Sequence, residues 1–234
     1  MRCEEVDHPP FMPESPWRDT LERWHKEGLP VGTGYEEYLG IDTLKSEYAG
    51  LNTGLYPGFE EEIISENENE VIKRDSYGRI IKDFKDHTGM PEWLEFPVQE
   101  KKDLEKIIKE HFDLSRIEER CPEDWEEKLK KWTEPGRNYL IFLDGGCYYN
   151  ILRNLAGVEY SSYLFYEAAE LIDDLFESIN IICLEGLKRV LPKVKIDYLG
   201  FGEDIAYKTS TLISPKMFKS FLFPRYKKVV DFAG

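Results

Sequence analysis

The chain has 234 residues, of which 41% are hydrophobic and 33% charged, and it carries a net charge of −15. That balance belongs to a folded protein with a sizeable core and excludes a disordered chain. The acidic excess opposes nucleic acid and anionic lipid as partners, and no run approaches the ~20 apolar residues of a membrane span.

The charge is unevenly placed. From Asn138 onward there are 12 acidic and 11 basic side chains, leaving 34 acids and 20 bases, a net of −14, in the residues before it. Tyr, Phe and Trp make up 14% of the chain, which argues for well-filled cores or pockets for flat ligands. Cys3, Cys121, Cys147 and Cys183 are scattered without CxxC spacing. They read as reduced thiols in a cytoplasmic protein, with neither a disulfide frame nor a closed zinc site. The opening MRCEEVDHPPFMPESPW has no apolar signal-peptide core.

In chain order, a Pro-rich opening gives way to WRDTLERWHKEGLP, where Trp17, Leu21 and Trp24 recur at helical spacing until Gly28 and Pro30. Gly50–Phe59 reads as a loop. The β-branched runs EEIISE, EVIKRD and RIIKDF, separated by turn residues, predict a small antiparallel meander within Glu61–Phe84. Asp103–His111 and Glu123–Trp132 read as two acidic, exposed helices. His8, His25, His87 and His111 lack ligand spacing and are expected at the surface. The first 137 residues therefore form an acidic preamble of helices and meander.

From residue 138 to 234 the pattern becomes that of a parallel α/β fold. RNYLIFLDGG is a near-continuous apolar run ending in glycines, the pattern of a buried parallel strand. Glu167–Leu191 follows as a long amphipathic helix with Leu171, Leu175, Ile179, Ile182 and Leu187 apolar, and Lys193–Phe201 as a second strand. Ser214-Pro215 then supplies an N-cap and first-turn proline for a closing helix.

Active sites of parallel βα folds gather at the C-terminal ends of the strands. One such end is Asp144-Gly145-Gly146, followed by Cys147, Tyr148, Tyr149 and Arg153; the other is Glu203-Asp204, followed by Tyr207 and Lys208. Glycines let backbone approach a ligand, and adjacent carboxylates pair, coordinate or shuttle protons. The competing readings are structural: Asp144 bonding the next helix's amides, Lys208 neutralising Glu203 or Asp204, and Cys147 simply packing. GxGxxG and P-loop patterns are absent, so nothing proposes a nucleotide.

The stretch GEDIAYKTSTLISPKMFKSFLFPRYKKV resembles the uroporphyrinogen decarboxylase superfamily, as do LERWHKEGLP with EEYLGID, LYPGFEEEIISENENEVIKRDSYGRI and LDGGCYYNILRNLAGVEY, in that order. The resemblance implies a TIM-type (β/α)₈ barrel, and the chain covers only its first part, so the barrel is expected to be incomplete and inactive alone. It further implies Glu203 and Asp204 as catalytic candidates, Asp144, Gly145, Gly146, Arg153, Tyr207 and Lys208 as substrate contacts, and Tyr166 near a tyrosine that decarboxylases use. Two chemistries share the family: cofactor-free decarboxylation of a tetrapyrrole, and corrinoid-dependent methyl transfer, often with zinc. The chain is similar to the second set, because the Arg-rich opening that clamps substrate carboxylates is missing and only Arg18 and Arg23 stand there. The expected partners are a small-molecule methyl donor or a tetrapyrrole, a corrinoid protein and further copies in a homo-oligomer. Zinc and corrinoid are expected in the full-length protein, with no metal or cofactor ligand inside this chain. The rival of another class is a non-catalytic subunit that docks a partner to complete the barrel.

Overall fold

The computed structural model describes residues 15–42 and 45–234; the Pro-rich opening with Cys3 and His8 lies outside the described residues. Helix α1 (Arg18–Glu27) ends where Gly28 adopts φ 125°, its N–H donating to the Trp24 carbonyl. Helix α2 (Tyr35–Leu39) ends on left-handed Gly40, and strand β1 (Ser46–Tyr48) follows. The expected loop at residues 50–59 has no regular structure.

The meander forms as read, with one strand more. Strands β2 (Glu62–Glu66), β3 (Glu70–Arg74), β4 (Ile80–Phe84) and β5 (Glu92–Glu95) make an antiparallel sheet in the order β2-β3-β4-β5. Asn67 turns the first hairpin, its side-chain oxygen accepting from the Asn69 and Glu70 amides. Strand β5 is only Glu-Trp-Leu-Glu, too short and too charged to announce itself, and is set by its pairing with β4.

Helix α3 (Lys101–His111) starts at a reciprocal Glu100–Asp103 capping box. A 3₁₀ turn (Leu114–Arg120) and helix α4 (Trp125–Trp132) follow. The two α-helices were expected to be exposed, yet each buries one stripe, Leu104, Ile107 and His111 on the first and Leu129 and Trp132 on the second. Their charges lie on the remaining surface. His111 is thus a core residue, correcting its surface reading; its ring stacks on Phe59 at 4.5 Å and bonds the Pro57 carbonyl through Nδ1.

Strand β6 (Leu140–Asp144) leads into helix α5 (Tyr148–Glu167), which bends at Gly157, and then helix α6 (Ala169–Val190). Strand β7 (Tyr198–Gly200) occupies only the end of the predicted Lys193–Phe201 run. Ser214 caps helix α7 (Pro215–Met217), its hydroxyl accepting from the Met217 amide. A π-helical turn (Phe218–Leu222) joins this to helix α8 (Phe223–Ala233). Pro224 sits at the start of α8 and lacks an N–H, so α-helical bonding is interrupted there.

The protein is a mixed α/β fold with a parallel and an antiparallel sheet. The parallel sheet has the order β1-β6-β7, with Tyr48, Phe142 and Tyr198 in one register row. Because β1 belongs to it, the sequence division at residue 138 falls inside this sheet. Three residues with two charged or polar members gave no alternation to read. Along β6, Ile141 and Leu143 are sealed into the core with Leu152, Leu155, Leu175 and Ile179. Each such side chain contributes about 2 kcal/mol by leaving water. Phe142 and Asp144, one residue out of phase, point to the opposite face. Of the apolar positions read on α6, Leu175, Ile179, Ile182 and Leu187 are buried. Among the described residues no helix is long and apolar enough to cross a membrane.

Candidate functional site

A pocket of about 850 Å³ opens over the C-terminal ends of the three parallel strands. Its floor is the side of the sheet away from the helices. There the Tyr48 and Phe142 rings lie 5.6 Å apart and the Phe142 and Tyr198 rings 5.3 Å apart, the latter pair nearly parallel. Register alone produces this row, since equivalent positions on neighbouring strands put their side chains side by side.

Asp144 ends the middle strand at the pocket's edge. One carboxylate oxygen accepts from the Gly146 amide at 2.9 Å and the other from the Thr53 hydroxyl at 3.0 Å. Among the described residues no cation pairs with it. Gly145 continues the parallel pairing through its amide to the Gly200 carbonyl, and a side chain there would strike the Phe201 ring. Gly146 has φ 112°, a conformation that other residues rarely hold. Tyr148 anchors the loop from beneath, donating to the Gly145 carbonyl while accepting from buried Asn180.

Glu203 reaches back to the first turn of α5. Its carboxylate accepts from the Tyr148, Tyr149 and Asn150 amides, at 2.6, 3.3 and 2.9 Å, and from the Tyr226 hydroxyl at 3.0 Å. It therefore supplies the cap that Cys147, at the N-cap position, does not. Burial pushes its pKa up to about 7, outweighing the hydrogen bonds that favour the ionised form. Asp204 pairs with Arg153 at 2.7 Å, and Arg153 also donates to the Asn150 side chain. The cation facing Asp204 is thus Arg153 rather than Lys208.

Asp144, Gly145, Gly146, Glu203, Asp204 and Arg153 are accordingly drawn to one end of the sheet. Tyr207 and Lys208 lie on a surface turn closed by the Tyr207 amide and Ser210 carbonyl, Tyr207 being 70% exposed. Tyr166, 80% exposed, stands near the C-terminal end of α5, whose first turn is at the site. Sequence reading missed Thr53, Tyr56 and Arg120, which come from separate segments, and the ring row; the alternation of Tyr198 with Leu199 was its one local signal.

Arg120 lines the pocket but is 2% exposed. Its guanidinium donates to the carbonyls of Asn52, Gly54 and His111, which bolts the loop carrying Thr53 and Tyr56 in place. Cys147 also lines the pocket, its sulfur 3.9 Å from both Asp144 oxygens. Burial first, then the Asp144 charge, pushes the thiol up to about 12, so it stands protonated at neutral pH. No three His, Cys, Asp or Glu side chains among the described residues converge to hold a metal ion.

No family model, curated protein or solved structure matches the chain.

Proposed function

We propose that the chain forms the first wall of a uroporphyrinogen decarboxylase superfamily (β/α)₈ barrel whose chemistry is corrinoid-linked methyl transfer in the cytoplasm. The observation that carries this reading is the charge of the pocket at the strand ends. Among the described residues Asp144 pairs with no cation, and Arg120, the cation among the lining residues, is committed to three backbone carbonyls. A porphyrinogen bearing many carboxylates requires several convergent, uncommitted cations. A neutral or cationic methyl donor does not.

In this reading Asp144 and the ring row face the ligand. Glu203 is a positioning residue that fixes the start of α5 against the β7 loop, and the Arg153–Asp204 pair braces the same loop. The corrinoid is taken to arrive on a partner protein, and no step is assigned to zinc. The test uses the intact protein with cob(I)alamin and methylated donors, followed by the absorbance change on methylcobalamin formation, beside uroporphyrinogen turnover. Methyl transfer without porphyrinogen turnover is the expected result. Release of carbon dioxide from uroporphyrinogen would overturn the reading.

A further inference from the structure

The ligand class follows from how the Asp144 carboxylate is already used. Its oxygens accept from the Gly146 amide and the Thr53 hydroxyl, and the Cys147 thiol lies 3.9 Å from both, so only about one of a carboxylate's roughly four acceptor positions is left for a ligand. A primary ammonium brings three N–H donors that each need an acceptor, and the floor beside Asp144 offers the carbon rings of Tyr48, Phe142 and Tyr198. The Tyr48 hydroxyl is itself turned away to the Leu51 carbonyl. A quaternary ammonium has the complementary needs: it carries charge, has no N–H to satisfy, and presents methyl groups that favour aromatic surface.

The remaining charges around the pocket agree with this. Glu119 and exposed Glu123 stand on its rim, Glu119 engaged by Arg116 in a two-point pair at 3.0 and 2.6 Å. The Cys147 thiol adds no charge, and the Arg120 guanidinium is screened by the carbonyls it binds. The volume of about 850 Å³ admits a ligand much larger than a trimethylammonium group, which then occupies the Asp144 end of the pocket.

We infer that this pocket binds a quaternary methylammonium group, with Asp144 as counter-ion and the Tyr48–Phe142–Tyr198 row as its apolar wall. The inference deepens the proposed function by naming a ligand class, and rests on that reading only in treating the strand ends as the ligand site. The experiment is calorimetric titration of the full chain with choline and with its neutral carbon isostere, in which tert-butyl replaces trimethylammonium.

Choline is expected to bind at least about tenfold more tightly than the isostere, the ratio worth one charge contact. Asp144→Asn, which keeps the amide-accepting oxygen, is expected to erase that preference. Tyr198→Leu, at a half-exposed position, is expected to weaken choline about threefold to tenfold, with unchanged circular dichroism. If Asp144→Asn fails to fold, Tyr198→Leu and the isostere comparison decide. Equal binding of the two compounds, absence of choline binding, or choline binding indifferent to both substitutions each overturns the inference. Methyl transfer from a neutral ether by an intact protein that ignores choline removes this inference and leaves the methyl-transfer reading standing. Choline binding without methyl transfer does the reverse.

Discussion

In the parallel sheet, Ile141 and Leu143 are sealed under two long helices, whereas all five residues of β2 in the antiparallel sheet are exposed. The antiparallel sheet is built from neighbours in sequence, its strands joined by short turns and laced by Lys73–Asp83, Arg74–Glu62, Lys82–Glu92 and Lys85–Glu66 pairs. Such surface pairs are each worth well under about 1 kcal/mol. The parallel sheet joins residues 46–48, 140–144 and 198–200, so its pairing and its burial are both long-range in sequence. Local order and global stability are thus lodged in different places, and the pocket is built on the second.

Substitutions can break or sharpen this contrast. Leu143→Ala should have the largest effect, about 3 to 4 kcal/mol of destabilisation in denaturant titration, because a cavity opens under the sheet. A loss below about 1 kcal/mol would contradict the burial of Leu143 beneath the sheet. The next effect is one of pH. The folded-state pKa of Glu203 lies at about 7, above the ordinary 4.5, so the native state holds the proton more tightly. Its stabilising contribution is therefore complete below about pH 4.5 and is lost as pH rises through 7, about 3 kcal/mol across the window. Glu203→Gln should remove that slope from thermal melts compared at pH 5, 6 and 8, and an unchanged difference between variant and parent would refute the assignment.

Arg79 ties the two regions, pairing with Asp75 at 2.7 Å and donating to Asn154 of α5 at 2.9 Å. Arg79→Ala should cost about 1 kcal/mol and accelerate hydrogen exchange in β3 and β4 while leaving β6 protected. Equal acceleration in both sheets would mean that they open as one unit. At the small end, Ile63→Ser in β2 should change stability by less than about 0.5 kcal/mol. A large loss would show that the meander's outer strand is covered in solution.

What was legible in the sequence divides along the same line. The runs from Glu62 to Phe84 and the apolar run of β6 carry their signals locally, and both were read correctly as strands. Helix α5 leaves no clear sequence signal, since Gly157 interrupts its pattern and its first turn is capped from Glu203 rather than from within. That same distance explains the site. The Asp144 and Glu203-Asp204 ends could be read as strand termini, but Glu203's use as a cap and Arg153's service to Asp204 depend on segments about fifty residues apart. Tyr166 rests on a resemblance in position alone, and an aromatic residue late in a helix gives no hint of which end of the helix meets the pocket.

The Glu203 tie also sets a folding order. It joins residues 55 apart, and closing a loop of that length costs about 3.5 kcal/mol of chain entropy before any bond compensates. The tie is therefore expected to close after α5 and α6 have met, beyond the rate-limiting barrier. Stopped-flow kinetics should show Glu203→Gln accelerating unfolding with little change in folding rate, and a slowed folding limb would move the tie into the nucleus. With late closure, the pocket mouth is the last part of the sheet to assemble and the first to loosen, so a ligand lodged against Asp144 slows unfolding of the chain around it.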